Sequence, residues 1–331
     1  MLRKFKNCLL IHHWDADGVC SAAQIYEELS SNNTKIELYV PVIGSYRLNK
    51  GEMERFKWKS YECIVIADIS LPEQDILELK KLTGSLFIFD HHVQRQIPNV
   101  QIFNPILSGR MDYPSTSWIV KDYFGMKTDL LAVLGAIGDH EESVKEFKIY
   151  SEINEFLRSS DLTLSDALHM VELIDSNYKV KDRLAVREAV LKLIEYKDRP
   201  RRILEDRNWI ERAEIIRREV ERCLQTPVRV YNKIILKDID SKFNIISTVT
   251  RRISWSNPGR VTVVVNRNFG EDSQIYVREN GLNVDLTGII EMAKSKGYVA
   301  GGRRNSVGIL LPRSHVEPFL SDIESYLEGL V

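Results

Sequence analysis

The first half of the chain alternates short, almost continuous apolar runs with segments of helical spacing. Residues 8–13 read as a strand and lead into "GVCSAAQIYEELS", which is helix-like over 18–30. Strand-like 36–42 ("IELYVPV") and 62–67 follow. Helix-like 72–83 comes next, with Pro72 in the first turn, where a missing N–H is harmless. Strand-like 86–90 then precedes helices predicted at 115–125 and 128–138, the first capped by Ser115 or Thr116. Near-continuous apolar strands are buried on both faces, so the pattern predicts an α/β fold with a doubly wound, mainly parallel sheet. In such sheets ligands bind beyond the carboxyl ends of the strands.

The pattern then changes. Residues 141–225 read as mostly helical and charge-laced, interrupted at Pro200. "VRVYNKIILKDI", "RVTVVVNRNF" and "SQIYVREN" are strand-like, followed by helix-like "LTGIIEMAKSK" and then "GYVAGGRRNSVGILLP". The expected organisation is a first domain over 1–180, a helical connector over 181–225 and a smaller mixed α/β domain over 226–331. A chain of 331 residues is long enough for two such cores.

Composition narrows the picture only slightly. Apolar content is 44% and charged content 28%, ordinary for a globular protein. No apolar run approaches the ~20 residues that cross a bilayer. The short apolar stretch near the start is below the ~7–15 residues of a signal-peptide core. A cytoplasmic protein with no targeting segment and no membrane contact is expected. Cys8, Cys20, Cys63 and Cys223 form no CxxC pair, so neither a zinc ribbon nor a redox motif is supported. Net charge is −1, so a nucleic-acid partner needs a local basic patch. Candidates are "RPRR" at 199–202, Arg217–Arg218, Arg251–Arg252 and Arg303–Arg304; the first two read as solvated faces.

The chemistry sits where the apolar runs stop. "CLLIHHWDADG" (8–18), "CIVIADIS" (63–70), "LFIFDHHVQ" (86–94) and "VLGAIGDH" (133–140) all end on carboxylates or imidazoles. His13, Asp15 and Asp17 occupy alternate positions, which share a face in an extended segment. Crowded carboxylates repel unless a cation sits between them. Gly18 permits a sharp turn into the next helix. Asp68, His91, His92 and Asp139 end the other three runs. Mixed carboxylate and imidazole donors suit manganese, with magnesium or cobalt as alternatives. Four aspartates and two histidines are too many for one six-coordinate ion that keeps water. Two ions ~3.5–4 Å apart sharing a carboxylate fit better, and they suit hydrolysis of a phosphate ester or anhydride.

The set "HWDADG", "ADIS", "DHH" and "GAIGD", in this order, resembles the DHH phosphoesterase superfamily. Its members include RecJ-type single-strand exonucleases, nano-RNases that also hydrolyse phosphoadenosine phosphate, cyclic-dinucleotide phosphodiesterases and family II pyrophosphatases. The resemblance implies that His13 and Asp15 hold one metal, that Asp17, His91 and Asp139 hold the other, and that Asp68 bridges them. It places His92 toward the substrate phosphate or leaving group, with Asp90 orienting the histidine pair. His12 and His140 flank the motifs and are expected to support them or to be incidental. The His-x-Asp-x-Asp form resembles archaeal RecJ-like proteins.

The tail "YVAGGRRNSVGILLP" resembles the glycine-rich motif of the DHHA1 substrate domain. Glycines let backbone amides approach a phosphate, a job that fits Gly301, Gly302 and Gly308. Arg278, in "IYVREN", offers bidentate phosphate contact. Arg303, followed by Arg304 and Asn305, stands where the family has a histidine. It keeps a positive contact but cannot exchange a proton at neutral pH. The resulting expectation is a manganese-dependent RecJ-like exonuclease that hydrolyses single-stranded DNA or RNA with a two-metal-activated water. The alternative is a small-substrate phosphodiesterase for nano-RNA, phosphoadenosine phosphate or cyclic dinucleotides; a non-catalytic replication scaffold is the third reading. Expected partners are single-stranded DNA or RNA, short oligonucleotides and, by family analogy alone, a repair or replication protein. Homo-oligomerisation is left open.

Overall fold

The computed structural model describes residues 2–92, 95–110 and 113–330. The chain divides into two compact units, Met1–Tyr178 with Asp182–Ala213, and Lys179–Lys181 with Glu214–Val331.

The first unit is built on strands β1 (Asn7–His12), β2 (Lys35–Tyr39), β3 (Cys63–Ala67), β4 (Ser85–Phe89) and β5 (Gln101–Phe103). All are parallel, in the order β2-β1-β3-β4-β5. From Cys8, Cys63 and Leu86 onward the three central strands are buried at every position, as expected for a sheet covered on both faces. The cover comes from α1 (Ala16–Ser30), α2 (Lys50–Lys57), α3 (Glu73–Lys81), α4 (Thr116–Phe124), α5 (Leu130–His140), α6 (Tyr150–Ser159), α7 (Leu164–Lys179), α8 (Arg183–Tyr196) and α9 (Arg201–Glu205). Strand order 2-1-3 reverses the winding direction between β1 and β3. Their carboxyl ends therefore diverge at a switch point, the place where doubly wound sheets open a crevice. His13 follows β1 there and Asp68 follows β3, and the His13 amide donates to the Ala67 carbonyl at 3.1 Å. The doubly wound α/β class read from the sequence is the class observed.

The expected connector, 181–225, is distributed over both units. Val186, Ala189, Val190 and Leu193 of α8, with Ile203 of α9, join the first core. The next helix, α10 (Arg207–Gln225), contributes Trp209 and Ala213 to the first core, and Ile216, Val220 and Cys223 to a core of the second unit.

The second unit holds strands β6 (Arg229–Tyr231), β7 (Ile234–Ile239), β8 (Arg260–Phe269), β9 (Asp272–Asn280), β10 (Val299–Arg303) and β11 (Ser306–Pro312) in the order β10-β11-β9-β8-β7-β6. β7 and β8 are parallel, joined through α11 (Ile246–Trp255); the other neighbours are antiparallel. Ile289 of α12 (Thr287–Ser295), with Leu286 just before it, and Phe319 and Ile323 of α13 (Val316–Glu328) pack with Val263, Ile275 and Val277 of the sheet. Val249 and Ile253 of α11 pack with Ile235, Val264 and Tyr276, which alternate with those residues and so occupy the opposite face. No described helix is long and apolar enough to cross a membrane.

Asp206 ties α8 to α10. Its Oδ1 accepts from the Trp209 amide at 3.1 Å, and its Oδ2 accepts from Lys192 Nζ at 2.5 Å and Tyr196 OH at 3.2 Å. Burial alone would raise this carboxyl, but the Lys192 ammonium and the Trp209 amide outweigh burial and hold it below its ordinary value. A carboxyl depressed in the fold stabilises above its unfolded value near pH 4 and loses that contribution as pH falls through the folded value. Asp206→Asn is therefore expected to lower unfolding free energy by about 1 kcal/mol at pH 7. The gap between the two urea-unfolding curves should close in acid, and equal stability of the two proteins at pH 7 would refute the account.

Candidate metal centre

Three strand ends and two helix termini deliver the acidic and imidazole groups to one place. β1 runs out at His12, and His13 and Asp15 occupy the short link to α1. Asp15 caps α1, its Oδ1 accepting from the Gly18 amide at 3.1 Å, while its Oδ2 lies 2.8 Å from His13 Nδ1. Gly18 is fixed by this turn: a Cβ there would sit 2.5 Å from His13 Cβ. Asp17 lies in the first turn of α1, facing the N-terminus of α4. The Thr116 amide donates to its Oδ2 at 2.7 Å and the Ser117 amide to its Oδ1 at 2.9 Å. Asp68 follows β3 with φ of 62°, in the left-handed region that aspartate tolerates better than most residues. Thr116 Oγ1 donates to Asp68 Oδ1 at 2.8 Å. The start of α4 thus holds two carboxylates at once, with its amides and helix dipole aimed at negative charge.

The third strand end brings the histidine pair. Asp90, fully buried after β4, accepts at Oδ1 from the His91 amide at 2.8 Å, the His92 amide at 3.1 Å and His92 Nδ1 at 2.7 Å. His91 turns the other way, its Nε2 2.9 Å from Asp139 Oδ2 and 3.7 Å from Asp68 Oδ1. Asp139 lies in the last turn of α5. Ligand atoms of His13, Asp15 and Asp68 lie within 4.8 Å of one another, as do those of Asp17, His91 and Asp139, and those of Asp68, His91 and His92. All eight residues read from the sequence in this unit, including Asp90, are adjacent, and Asp68 stands at the centre of the group. His12 and His140 lie outside it. His12 Nδ1 donates to the His13 carbonyl at 2.7 Å, and burial pushes that imidazole down to about 4. His140 Nε2 donates to the Pro114 carbonyl at 2.6 Å.

The donor set fits divalent cations. Burial raises Asp17 to about 6, reinforced by the Asp139 carboxylate. Burial also raises Asp68 well above its ordinary value, with Asp17 and Asp15 adding to the effect. Carboxylates crowded this way take up protons unless a cation neutralises them. His13 Nε2 is buried with no hydrogen-bond partner among the described residues, as a ligand nitrogen awaiting an ion would be. Asp15 shows the opposite balance: burial would raise it, but the His13 imidazole holds it below the usual range.

The seven substrate-binding candidates lie in the second unit. Arg278 is on β9, Gly301, Gly302 and Arg303 on β10, Gly308 on β11, and Arg304 and Asn305 form the β10–β11 turn. Register explains the grouping. Arg303 pairs with Ser306 and Ser306 with Arg278, while Gly301 pairs with Gly308 and Gly308 with Tyr276. Directly paired residues point to the same face. Arg303, Ser306 and Arg278 therefore form one row, and Gly301, Gly308 and Tyr276 the next. Gly302 has φ of 150°, and a Cβ on it would meet the Ser306 carbonyl oxygen at 2.2 Å.

Sequence reasoning missed the α4 platform. Ser115 and Thr116 were legible as a cap, but nothing in "STSW" says that the capped helix will receive Asp17 and Asp68 from distant segments. The role of Gly135 was equally hidden. A Cβ on Gly135 would sit 2.1 Å from Ser117 Oγ and 2.4 Å from Asp17 Oδ1, and one on Gly138 would touch Ala16 Cβ at 3.0 Å. Small residues let α5 approach α1 and α4 closely enough for Asp139 to reach His91. Gly135→Ala is expected to weaken divalent-ion binding at least tenfold by calorimetry, with about 1–3 kcal/mol of destabilisation from overpacking. Gly138→Ala should do less. Wild-type ion affinity in Gly135→Ala would contradict the packing argument.

Among curated proteins none matches this chain. Among solved structures, a DHH-domain protein described as belonging to a family of ribosomal proteins has 14% identity and a TM-score of 0.75, over 99% of this chain and 88% of that one. A crystal structure of exonuclease RecJ bound to manganese has 15% identity and a TM-score of 0.68, over 98% and 90%. RecJ from Thermus thermophilus in complex with Mn2+ has 15% identity and a TM-score of 0.63, over 100% and 53%. At such identities the likeness is one of fold. The segment that gathers every candidate metal ligand, residues 7–145, matches the model of the DHH family, N-terminal domain.

Proposed function

We infer that the chain is a divalent-metal-dependent phosphodiesterase that removes nucleotides from single-stranded DNA or RNA. The observation that carries this reading is the pair of ligand sets around Asp68 at the switch point of the first sheet. His13 and Asp15 would hold one ion, Asp17, His91 and Asp139 the second, and Asp68 would be shared. Such a pair supplies Lewis acidity to a phosphoryl group and lowers the pKa of water. Manganese is the favoured ion, because the donors mix imidazole with carboxylate and two of the RecJ neighbours contain it, while a third contains Mg2+.

The chain's own groups divide the remaining work. Asp90 holds the His92 Nδ1–H, which leaves Nε2 as the ring atom able to exchange a proton with the phosphoryl or leaving oxygen. The α4 amides keep Asp17 fixed and aimed, so its geometry needs no reorganisation when substrate arrives. In the second unit, Arg278 and Arg303 share a sheet face beside Gly301 and Gly308, an arrangement suited to gripping phosphates while the backbone approaches closely. Arginine at 303 supplies charge and takes no part in proton transfer. That restriction supports phosphate-backbone binding and favours the strand-degrading reading over the small-substrate one. Archaeal RecJ-like specificity, a repair or replication partner and a cytoplasmic site of action belong to the same proposal. A scaffold role finds no support in the first unit, where every expected ligand is present.

Single strands labelled at the 5′ or the 3′ end, incubated with manganese beside a dinucleotide, are expected to shorten stepwise from one end. Asp68→Asn should abolish cleavage, at least a thousandfold, with the fold retained by circular dichroism. Arg303→Ala should raise KM while sparing kcat. Undiminished manganese-dependent cleavage in Asp68→Asn would remove the basis of the assignment, and preferential cleavage of the dinucleotide would establish the small-substrate reading.

A further inference from the structure

The loop between β2 and α2 has no role in the reading above, yet it is anchored at both ends and lies beside the metal centre. It carries Tyr46, 42% exposed, over two buried rings. The Tyr46 ring stacks on His13 with centroids 6.0 Å apart and planes 25° apart, and leans on Trp14 at 5.3 Å. His13 and Trp14 contact each other at 4.3 Å. Trp14 is 3% exposed, so the three rings form a graded stack from the core outward, with Tyr46 outermost.

The loop is pinned at both ends. At its start, the Arg183 guanidinium donates through Nε to the Val40 carbonyl at 3.0 Å, and through Nη2 to the same carbonyl, to Tyr39 OH at 3.0 Å and to Glu52 Oε1 at 3.0 Å. At its end, the Leu48 amide donates to Asp75 Oδ2 at 2.8 Å, and Asn49 and Glu52 close a capping box on α2. Between these anchors the Ser45 amide donates to the Val42 carbonyl at 2.8 Å, Gly44 takes a φ of 88°, and Ile43 and Leu48 are buried. Loops held by this many polar contacts present a side chain in one position, which is what a binding surface needs.

We propose that Tyr46 is a nucleobase platform: it stacks the base attached to the phosphate being cleaved. A nucleobase lies one sugar away from its own phosphate, and Tyr46 lies one imidazole ring away from the ligand cluster. Stacking on an aromatic ring accepts every base, because every base has a π-face. The platform therefore confers no base preference, but it requires a base. It makes nucleotide esters the substrate class of this centre and makes inorganic polyphosphate a poor fit. The inference rests on the hydrolase reading, whose failure is separable from its own.

The test compares a thymidine pentamer with the same pentamer carrying tetrahydrofuran abasic residues. Cleavage in manganese and equilibrium binding by fluorescence anisotropy are both measured, for the unmodified protein, Tyr46→Phe, Tyr46→Ala and Tyr46→Leu. Tyr46→Leu keeps bulk over Trp14 and serves if the alanine variant fails to fold. The expected result is a fall of about tenfold in kcat/KM and in affinity for the base-bearing strand, the scale of one stacking contact. The abasic strand should change less than twofold, and Tyr46→Phe should behave as wild type. An equal loss on both strands would show that Tyr46 only supports His13, and no loss on either would show that it binds nothing; each overturns the proposal. If the unmodified protein cleaves neither strand, the hydrolase reading falls, and the binding comparison alone decides the role of Tyr46.

Discussion

Four carboxylates, those of Asp15, Asp17, Asp68 and Asp139, converge on one largely buried spot, and the first unit is organised around making that tolerable. Negative charge removed from water is costly unless it is paired and hydrogen-bonded. The chain answers part of the demand itself. Amides at the start of α4 bind Asp17, the Gly18 amide binds Asp15, Thr116 binds Asp68, and His13 and His91 stand between acidic partners. These contacts are not enough, since burial and mutual repulsion still raise Asp17 and Asp68. The remaining demand is for positive charge, which divalent ions would meet.

That electrostatic demand explains features that otherwise look unrelated. Asp68 adopts a left-handed backbone because it must turn inward directly after β3. Gly135 and Gly138 are free of side chains because α5 must approach α1 closely enough to carry Asp139 to His91. Asp90 is fully buried because its acceptor oxygen organises both the backbone of the histidine pair and the ring of His92. The second unit, with no acidic cluster of this kind among its described residues, aligns arginines and glycines along one sheet face instead.

Much of this was legible in the sequence because strands buried on both faces announce themselves, and their polar ends stand out against them. "CLLIH", "CIVIA" and "LFIF" give the parallel sheet, and His13, Asp68 and His91 mark its carboxyl edge. What stayed hidden depends on long-range packing. β5 is three residues long with no fully buried position, too short to leave a pattern. α2 has only Glu52 and Phe56 buried, so its periodicity is weak, and α11 escapes a reading of the sequence although it supplies the crossover between β7 and β8. The pairing of Arg303 with Ser306, and of Ser306 with Arg278, is a matter of register, which no local propensity records. The receiving surface at Thr116 and Ser117 lies about a hundred residues from Asp17.

The claim on which the account stands is that these acidic and imidazole groups bind a pair of ions. Anomalous diffraction from crystals soaked in manganese addresses it directly. Two adjacent peaks are expected, one touching His13 and Asp15, the other touching Asp17, His91 and Asp139, with Asp68 in contact with both. A map with no anomalous peak among these residues at saturating manganese would contradict the account.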